Sequence, residues 1–464
     1  MPHVVTQSCC SDASCVYACP VNCIQPTPDD PGFATAEMLH IDPATCVDCG
    51  ACVSACPVDA IMPGSVADRR FAQINAEYFR GWPGGHPRPV LAPLTPAQRV
   101  RRTVRPPRVA VVGSGPAGMY AADEVLTIPG AQVTVYERLE HPFGLARYGV
   151  APDHLRTRRV ARQLRQICEA PGLTLRCGVK VGTDVDLEEL RGQYDAVIYA
   201  VGASSDRPLQ APGVELPHVA PATAFVGWYN GHPDYVDRNF DLSHERVVVI
   251  GNGNVALDVA RILTLDPDVL ADTEIAPAAL AALRGSEVRE VVVAGRRGPE
   301  HSAFTLPELA GLADGAGPAV VADLGDDPIP EDDLKMQLLR ELRHADDAGR
   351  RIVLRWRLAV ERITADAVSF VGGERIGAGL VLSSIGYRGL PVEGLPFDPA
   401  TGTVPSDRGR VEAGVYVAGW IKRGPTGFIG TNRSCAQETV RMLVEDLNAG
   451  RLRSGSHRER VGVV

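Results

Sequence analysis

Cys46, Cys49, Cys52 and Cys56 stand in the order C-x2-C-x2-C-x3-C, with Pro57 directly behind. Thiolates this close on a turning backbone grip three corners of an iron–sulfur cube. The fourth cysteine lies too far along to reach the same cube and ligates a neighbouring cluster. A degenerate copy precedes the run: Cys9, Cys10, Cys15, Cys19, Pro20 and Cys23. Both copies continue from Cys-Pro-Val to an isoleucine, Ile24 and Ile61. Such pseudo-symmetry predicts a two-cluster module in which ligands cross between halves.

On this reading Cys46, Cys49 and Cys52 take Cys19 as their fourth ligand. The other cluster takes Cys56 together with Cys15 and either Cys9 or Cys10, with Cys9 preferred. The first copy lacks the regular run, so a three-iron cluster is expected there, with a four-iron cluster as the alternative. Cys23 would then be a free thiol beside a cluster. Disulfides are the first competing explanation, since nine of the twelve cysteines precede residue 57. The Met-Pro-His start has no apolar segment of a secretion signal. A zinc ribbon would use two separated pairs rather than a run of four ending in proline. Cysteines reserved for metal fit a reducing cytoplasm.

The chain has 464 residues, long for one domain, with 45% apolar and 22% charged residues. No stretch approaches the roughly 20 apolar residues of a membrane span. The net charge of −9 argues against nucleic acid as a partner. Residues 1–62 hold seven acids and no lysine or arginine, whereas residues 63–106 hold eight arginines. That change of sign suggests that the acidic module docks on a basic surface further along.

Residues 1–62 are read as the cluster module and 63–106 as a Pro/Gly/Arg-rich linker with one short helix around 72–79. An α/β pattern opens at residue 109: strand, glycine-rich turn, helix over 119–126, strand over 132–137. A second such unit opens at 246. Further strands are expected at 288–294, 352–356, 380–384 and 415–418. Two dinucleotide folds, the second inserted in the first, use the rest of the chain. The boundaries expected are 107–243 and 385–464 for the first fold and 244–384 for the second.

The first turn is Gly113-Ser114-Gly115-Pro116-Ala117-Gly118. Its glycines permit a tight turn, close approach of a pyrophosphate and close helix–strand packing. The helix start adds amide donors. Glu137 ends the next strand, where a carboxylate accepts from a ribose diol, as in FAD or NAD, and repels a 2′-phosphate. The second turn is Gly251-Asn252-Gly253-Asn254-Val255-Ala256, and its second strand ends at Arg296 and Arg297. Two guanidiniums there suit the 2′-phosphate of NADP. The spacing from turn to arginines is longer than usual. Two unlike nucleotide sites beside iron–sulfur clusters point to a flavoprotein, because flavin converts hydride chemistry into single electrons.

With these residues in hand, the chain from about 107 to 450 resembles the adrenodoxin-reductase-like ferredoxin–NADP reductases. The likeness is carried by residues 109–118 with Glu137, by 144–154, by 249–258 with 295–299, and by 418–432. With the N-terminal module, it resembles the bacterial subgroup in which a two-cluster ferredoxin is fused to the reductase. The implied fold is an α/β flavoprotein with two dinucleotide-binding (Rossmann-like) domains for FAD and NADP, preceded by a small α+β bacterial ferredoxin domain. The resemblance implies that Gly113, Gly115, Pro116, Ala117, Gly118, Glu137, Leu145 and Val181 hold FAD. Trp420, Gly427, Phe428 and Ile429 would lie near its ring. Asn254, Val255, Arg296, Arg297 and Glu308 would hold NADP(H). His154 would organise the site or relay a proton. The implied metal ligands are Cys9, Cys15, Cys19, Cys46, Cys49, Cys52 and Cys56.

The implied activity is electron transfer between NADPH, FAD and iron–sulfur clusters, with a soluble ferredoxin or another one-electron acceptor as partner. The alternative is an electron-transfer subunit of a larger complex. A flavin disulfide reductase would need a close cysteine pair, and Cys168, Cys177 and Cys435 form none in the sequence. Three departures from the family stand out. Gly311 replaces a frequent acid three residues past Glu308, Ala146 replaces a larger apolar residue, and the step from Cys9 to Cys15 is two residues short of the seven-iron pattern.

Overall fold

The computed structural model describes residues 2–80, 100–101, 104–313, 317–325, 333–342 and 349–452. The chain begins as two short antiparallel ribbons. Strand His3–Val5 pairs with Ile61–Pro63, and Ile24–Gln25 pairs with His40–Ile41. Each half carries one five-residue helix, Ser14–Ala18 and Ala51–Ala55. So short a helix is not stable alone. Here each starts from a left-handed residue, Ala13 or Gly50, and ends at an extended cysteine, Cys19 or Cys56.

The helix expected at 72–79 runs Arg69–Arg80 and is not part of a free linker. It packs against both ribbons, burying Phe71, Ile74, Asn75 and Phe79. Asn75 is the clamp. Its amide donates to the carbonyls of Val5 (2.9 Å) and Phe71 (2.8 Å), and its oxygen accepts from the amides of Ile41 (2.9 Å) and Val5 (3.2 Å). The rest of the expected linker, residues 81–99, lies outside the described residues.

Two six-stranded sheets follow. The first orders Arg410–Glu412, Val415–Val417, Ala196–Tyr199, Arg108–Val112, Gln132–Tyr136 and Leu173–Arg176. All its pairings are parallel except the one between Arg410–Glu412 and Val415–Val417. In sequence its strands come from both sides of those of the second sheet. The second sheet is parallel and orders Val219–Pro221, Leu380–Ser383, Arg246–Ile250, Glu290–Ala294, Arg351–Arg355 and Ala319–Asp323. The expected boundary at 243/244 is corrected here. Val219–Pro221 is already an edge of the second sheet, and helix Ala222–Tyr229 packs on that side. A two-stranded ribbon, Ser205–Asp206 with Tyr387–Arg388, joins the two crossings of the chain. The central strands are apolar on both faces, as parallel strands covered by helices must be.

Candidate functional site

The first turn leaves strand Arg108–Val112 and enters helix Pro116–Leu126, with Pro116 at its first position. A Cβ on Gly118 would lie 1.9 Å from the carbonyl oxygen of Gly113, so only glycine lets this helix sit on its strand. At Gly115 a Cβ would meet nothing within 4 Å. The middle glycine thus opens onto free space, the cradle that a pyrophosphate needs.

Glu137 follows the neighbouring strand and is buried. One carboxylate oxygen accepts from the amide (3.1 Å) and hydroxyl (2.6 Å) of Ser114, and the other from the amide of Leu139 (2.9 Å). The Ser114 hydroxyl accepts in turn from the amide of Phe143 (3.1 Å), a residue at φ 88. A non-glycine residue held there is strained, as is common beside ligands. Gly144 follows, its Cβ position 3.3 Å from the Cα of Gly115, and Leu145 stands exposed over the turn. Val181 is half-buried, past the amide of Val179 that donates to the Glu137 carbonyl (2.9 Å).

Across the same turn lies the C-terminal segment. A Cβ on Gly419 would touch Ala117 at 2.5 Å. The Trp420 indole donates to Thr426 (3.1 Å) and its ring sits 5.4 Å from that of Tyr387. Gly427 has φ 76, and the amide of Phe428 donates to Thr431 (2.9 Å), which starts helix Thr431–Asn448. Phe428 and Ile429 are half-buried. The stretches that begin at Gly144 and Gly419 thus both lie against the first turn, at Gly115 and Ala117.

The second turn repeats the geometry. A Cβ on Gly251 would lie 2.2 Å from the Ser384 carbonyl oxygen, while at Gly253 it would meet nothing within 4 Å. Asn254 opens helix Asn254–Thr264, accepts from the amide of Thr305 (2.8 Å) and donates to its hydroxyl (3.3 Å). Val255 follows in the same first turn. Arg296 and Arg297 extend from the carboxyl end of strand Glu290–Ala294, both exposed. Neither guanidinium has a carboxylate partner among the described residues.

Where the two folds meet, a buried polar group forms that the sequence showed only in part. The guanidinium of Arg261 contacts Asp153 (2.6 and 3.2 Å), Asp258 (2.6 Å), Glu308 (3.2 Å) and the Nε2 atom of His154 (2.7 Å). Asp153 and His154 come from the first fold; Asp258, Arg261 and Glu308 come from the second. Burial raises Asp153, but the charge and hydrogen bonds of Arg261 outweigh it and hold the carboxyl below the usual range. Burial, then the charge of Asp258, pushes Glu308 up against the pull of His154 and Arg261. His154, Asp258 and Glu308 lie close enough to hold a metal ion, but Arg261 already sits among them as the cation. Glu308 thus lies in this hub beside His154. Asp258 and Arg261, one turn apart on a helix that follows a dinucleotide turn, were the legible signal for it.

The cysteine module shows its two-fold plan directly. A shift of 37 positions carries Ser11 (φ 55) onto Asp48 (φ 57), Ala13 (φ 61) onto Gly50 (φ 72) and Asn22 (φ 53) onto Asp59 (φ 51). The same shift carries Cys9 onto Cys46, Cys15 onto Cys52 and Cys19 onto Cys56. Asp12 falls on Cys49, and Cys10 on Val47. The sulfur of Cys19 accepts from the amide of Cys23 (3.4 Å), as that of Cys56 does from Ala60 (3.2 Å). The hydrogen bond from Cys23 and nearby amides bring the Cys19 thiol down to about 6 against the effect of burial. All twelve cysteines of the chain are free of disulfides. Cys19, Cys46, Cys49 and Cys52 line one small cavity with Cys23 and His3. Cys9, Cys15 and Cys56 gather on the other side, where burial raises all three thiols. Unpaired sulfurs converging in two groups, each met by backbone amides, fit clusters and do not fit a disulfide framework.

The module is docked on the rest of the chain by acids against bases, as the charge asymmetry suggested. Asp59 pairs with Arg159, Glu37 with Lys335 (3.6 Å) and with the amide of Leu306 (2.8 Å), and Asp12 with Arg433 (3.6 Å). The arginines, Arg159 and Arg433, come from the chain that follows rather than from residues 63–106. Gln7 fills the space where a side chain on Gly311 would stand. The fused module thus reaches the position where the sequence departs from the family.

Two nucleotide turns on separate sheets, one faced by an acid and one by arginines, define a two-nucleotide flavoprotein oxidoreductase carrying an iron–sulfur module. Residues 107–289 match the family model of pyridine nucleotide-disulphide oxidoreductases, and residues 39–62 match the 4Fe-4S binding domain. The chain is 54% identical over 490 residues to a probable ferredoxin/ferredoxin–NADP reductase of Mycobacterium bovis, covering 97% of this chain and 85% of that one. It is 39% identical over 426 residues to the mitochondrial NADPH:adrenodoxin oxidoreductase of Rattus norvegicus, covering 81% and 86%. The solved structure of Mycobacterium tuberculosis FprA in complex with NADPH matches with a TM-score of 0.71 at 42% identity, covering 75% of this chain and 87% of that one. The chain belongs to the family of ferredoxin–NADP reductases, in the group with a fused ferredoxin domain.

Proposed function

We propose that this chain is an NADPH-dependent ferredoxin reductase that delivers electrons through its own two clusters to a soluble one-electron acceptor in the cytoplasm. One observation carries the reading: the amide of Gly430, three residues past Gly427, donates to the carbonyl of Cys10 (2.6 Å). The cysteine module thereby touches the segment that closes the first nucleotide space.

When bound, FAD supplies the exchange between a hydride and single electrons. The residues of the chain do the rest. Gly113, Gly115 and Gly118 admit the pyrophosphate to the helix start, and Glu137 accepts from the ribose. Arg296 and Arg297 neutralise the 2′-phosphate of NADPH, and Asn254 fixes the second turn. His154, held by Arg261, keeps polar groups of fixed orientation where the folds meet. Direct hydride transfer needs no nucleophile, and Cys168, Cys177 and Cys435 form no disulfide.

Cys19, Cys46, Cys49 and Cys52 are the ligands of a four-iron cluster in this reading. Cys9, Cys15 and Cys56 are those of a three-iron cluster, with Asp12 in place of the missing cysteine. Cys9 is favoured over Cys10 because it is the one that the 37-residue shift carries onto a ligand. Anaerobic NADPH titration followed by low-temperature EPR tests the proposal. Bleaching of flavin together with new cluster signals is the expected result. Flavin bleaching with clusters still oxidised would mean that electrons enter from the iron side and leave to NADP.

A further inference from the structure

We infer that the two cluster sites are ranked. The first-half site (Cys9, Cys15, Cys56) is the inner one, against the flavin segment. The second-half site (Cys19, Cys46, Cys49, Cys52) is the outer one, and the face around Val47 and Cys49 receives the external carrier protein. This rests on the reading above that both sites hold clusters and that FAD lies at the first turn.

The two halves are alike in fold but opposite in surroundings. Cys10 to Asp12 lie directly on the reductase. Besides the Gly430 amide, Arg433 donates to the hydroxyl of Ser14 (3.1 Å) and pairs with Asp12. A Cβ on Gly430 would come within 2.1 to 2.4 Å of the backbone of Ser11 and Asp12, so this contact is as close as two backbones permit. Cys10 and Cys15 are buried there. The equivalent stretch of the second half is turned outward. Val47, the counterpart of buried Cys10, is 59% exposed, and Cys49 is the one exposed cysteine of the twelve. Pro20, Pro43 and Ala44 are exposed as well. Electron tunnelling falls off exponentially with distance. The half in contact with Gly430 is therefore placed for exchange with the flavin side, and the half that reaches the surface for exchange with a partner.

The surface also says what kind of partner fits. Residues 1–62 contain no lysine or arginine, and Asp12, Glu37 and Asp59 are spent on the reductase. Around Cys49 the face is small and apolar, and its charge, Asp48, is paired with His3 (2.7 Å). That suits a small one-electron carrier with an apolar contact patch and a neutral or basic rim, bound briefly. The balance closes. One NADPH gives two electrons as a hydride, two carrier molecules leave with one electron each, and one proton goes to solvent.

The test uses the full chain with cytochrome c as the carrier probe. Cys49→Ser should lose the outer cluster by iron analysis while NADPH still bleaches flavin and reduces the inner cluster by EPR, and cytochrome c reduction should fall by about tenfold or more. Unchanged cytochrome c reduction, or an intact inner cluster that NADPH no longer reduces, would overturn the ranking. Should Cys49→Ser lose both clusters, Val47→Trp decides. It should keep its iron, and the KM for cytochrome c should rise about tenfold; an unchanged KM would sink the outer docking face. Arg433→Gln should leave flavin bleaching by NADPH at its normal rate and slow cluster reduction. Equal slowing of both would count against the inner contact. Failure of the underlying reading looks different: the unmodified protein would show no flavin bleaching or no cluster signals at all.

Discussion

At the scale of single residues, the two halves of the molecule each turn on a few charged side chains. Arg296 and Arg297 are exposed at the end of a strand whose neighbour starts the second turn, and nothing described neutralises them. Replacing both by alanine should raise the KM for NADPH about 10- to 100-fold and leave that for NADH nearly unchanged, because a bidentate 2′-phosphate contact is lost. Steady-state kinetics with both nucleotides checks this. Asp12 is the second decisive residue. It stands where Cys49 stands in the other half, so Asp12→Cys should complete a four-iron set. Iron content should rise by one per chain, and the oxidised-state EPR signal of a three-iron cluster should vanish. Persistence of that signal in a folded Asp12→Cys protein would refute the assignment of the corner.

At the scale of elements, two polar side chains decide whether helices stay in place. Asn75 fastens helix Arg69–Arg80 to both ribbons. Asn75→Ala would leave the amides of Val5 and Ile41 and the carbonyl of Val5 with fewer partners, at about 1–3 kcal/mol. Thermal unfolding followed by the visible cluster band should show the module melting earlier. Asp446, fully buried near the end of helix Thr431–Asn448, accepts from Arg410 (2.8 Å), Arg451 (2.6 Å) and Tyr416 (2.6 Å). Burial raises its pKa, but these three hydrogen bonds outweigh burial and hold it below the ordinary carboxylate value. A depressed folded pKa means that the stabilisation is complete above the unfolded value, about 4, and is lost as pH falls through the folded one. Asp446→Asn should therefore be less stable at neutral pH, and the gap should narrow below about pH 4. Equal gaps at both pH values in denaturant melts would refute this.

At the scale of the whole molecule, a buried cation lies where the two nucleotide folds meet. Arg261 compensates Asp153 from one fold and Asp258 and Glu308 from the other. Arg261→Met would leave three half-buried acids facing one another without their cation, which should cost about 3 kcal/mol. It should also loosen His154, whose Nε2 contacts the same guanidinium. Calorimetry on the holoprotein checks the first effect. A variant as stable as the parent would show that the hub is not what holds the folds in register. The fused module adds a third body, fixed by Gly430 against Cys10 and by pairs spread over both folds. Its Gln7 side chain ends against Gly311.

Legible in the sequence by itself were the two glycine-rich turns between strand and helix, the two cysteine runs and the positions of Glu137, Arg296 and Arg297 at strand ends. Each of these is local: a glycine pattern, a strand period or a ligand spacing keeps its meaning wherever the chain goes. The tertiary structure decided what depends on residues far apart in the chain. It made Arg69–Arg80 part of the cluster module, because Asn75 finds its partners in Val5 and Ile41. It moved the domain boundary to Val219–Pro221, because an edge strand belongs to whichever sheet it hydrogen-bonds. It assembled Asp153, Asp258 and Arg261 around His154 and Glu308, and it turned Asp12 inward and Cys49 outward. Charge, burial and orientation are properties of neighbours in space, and the order of residues along the chain does not name them.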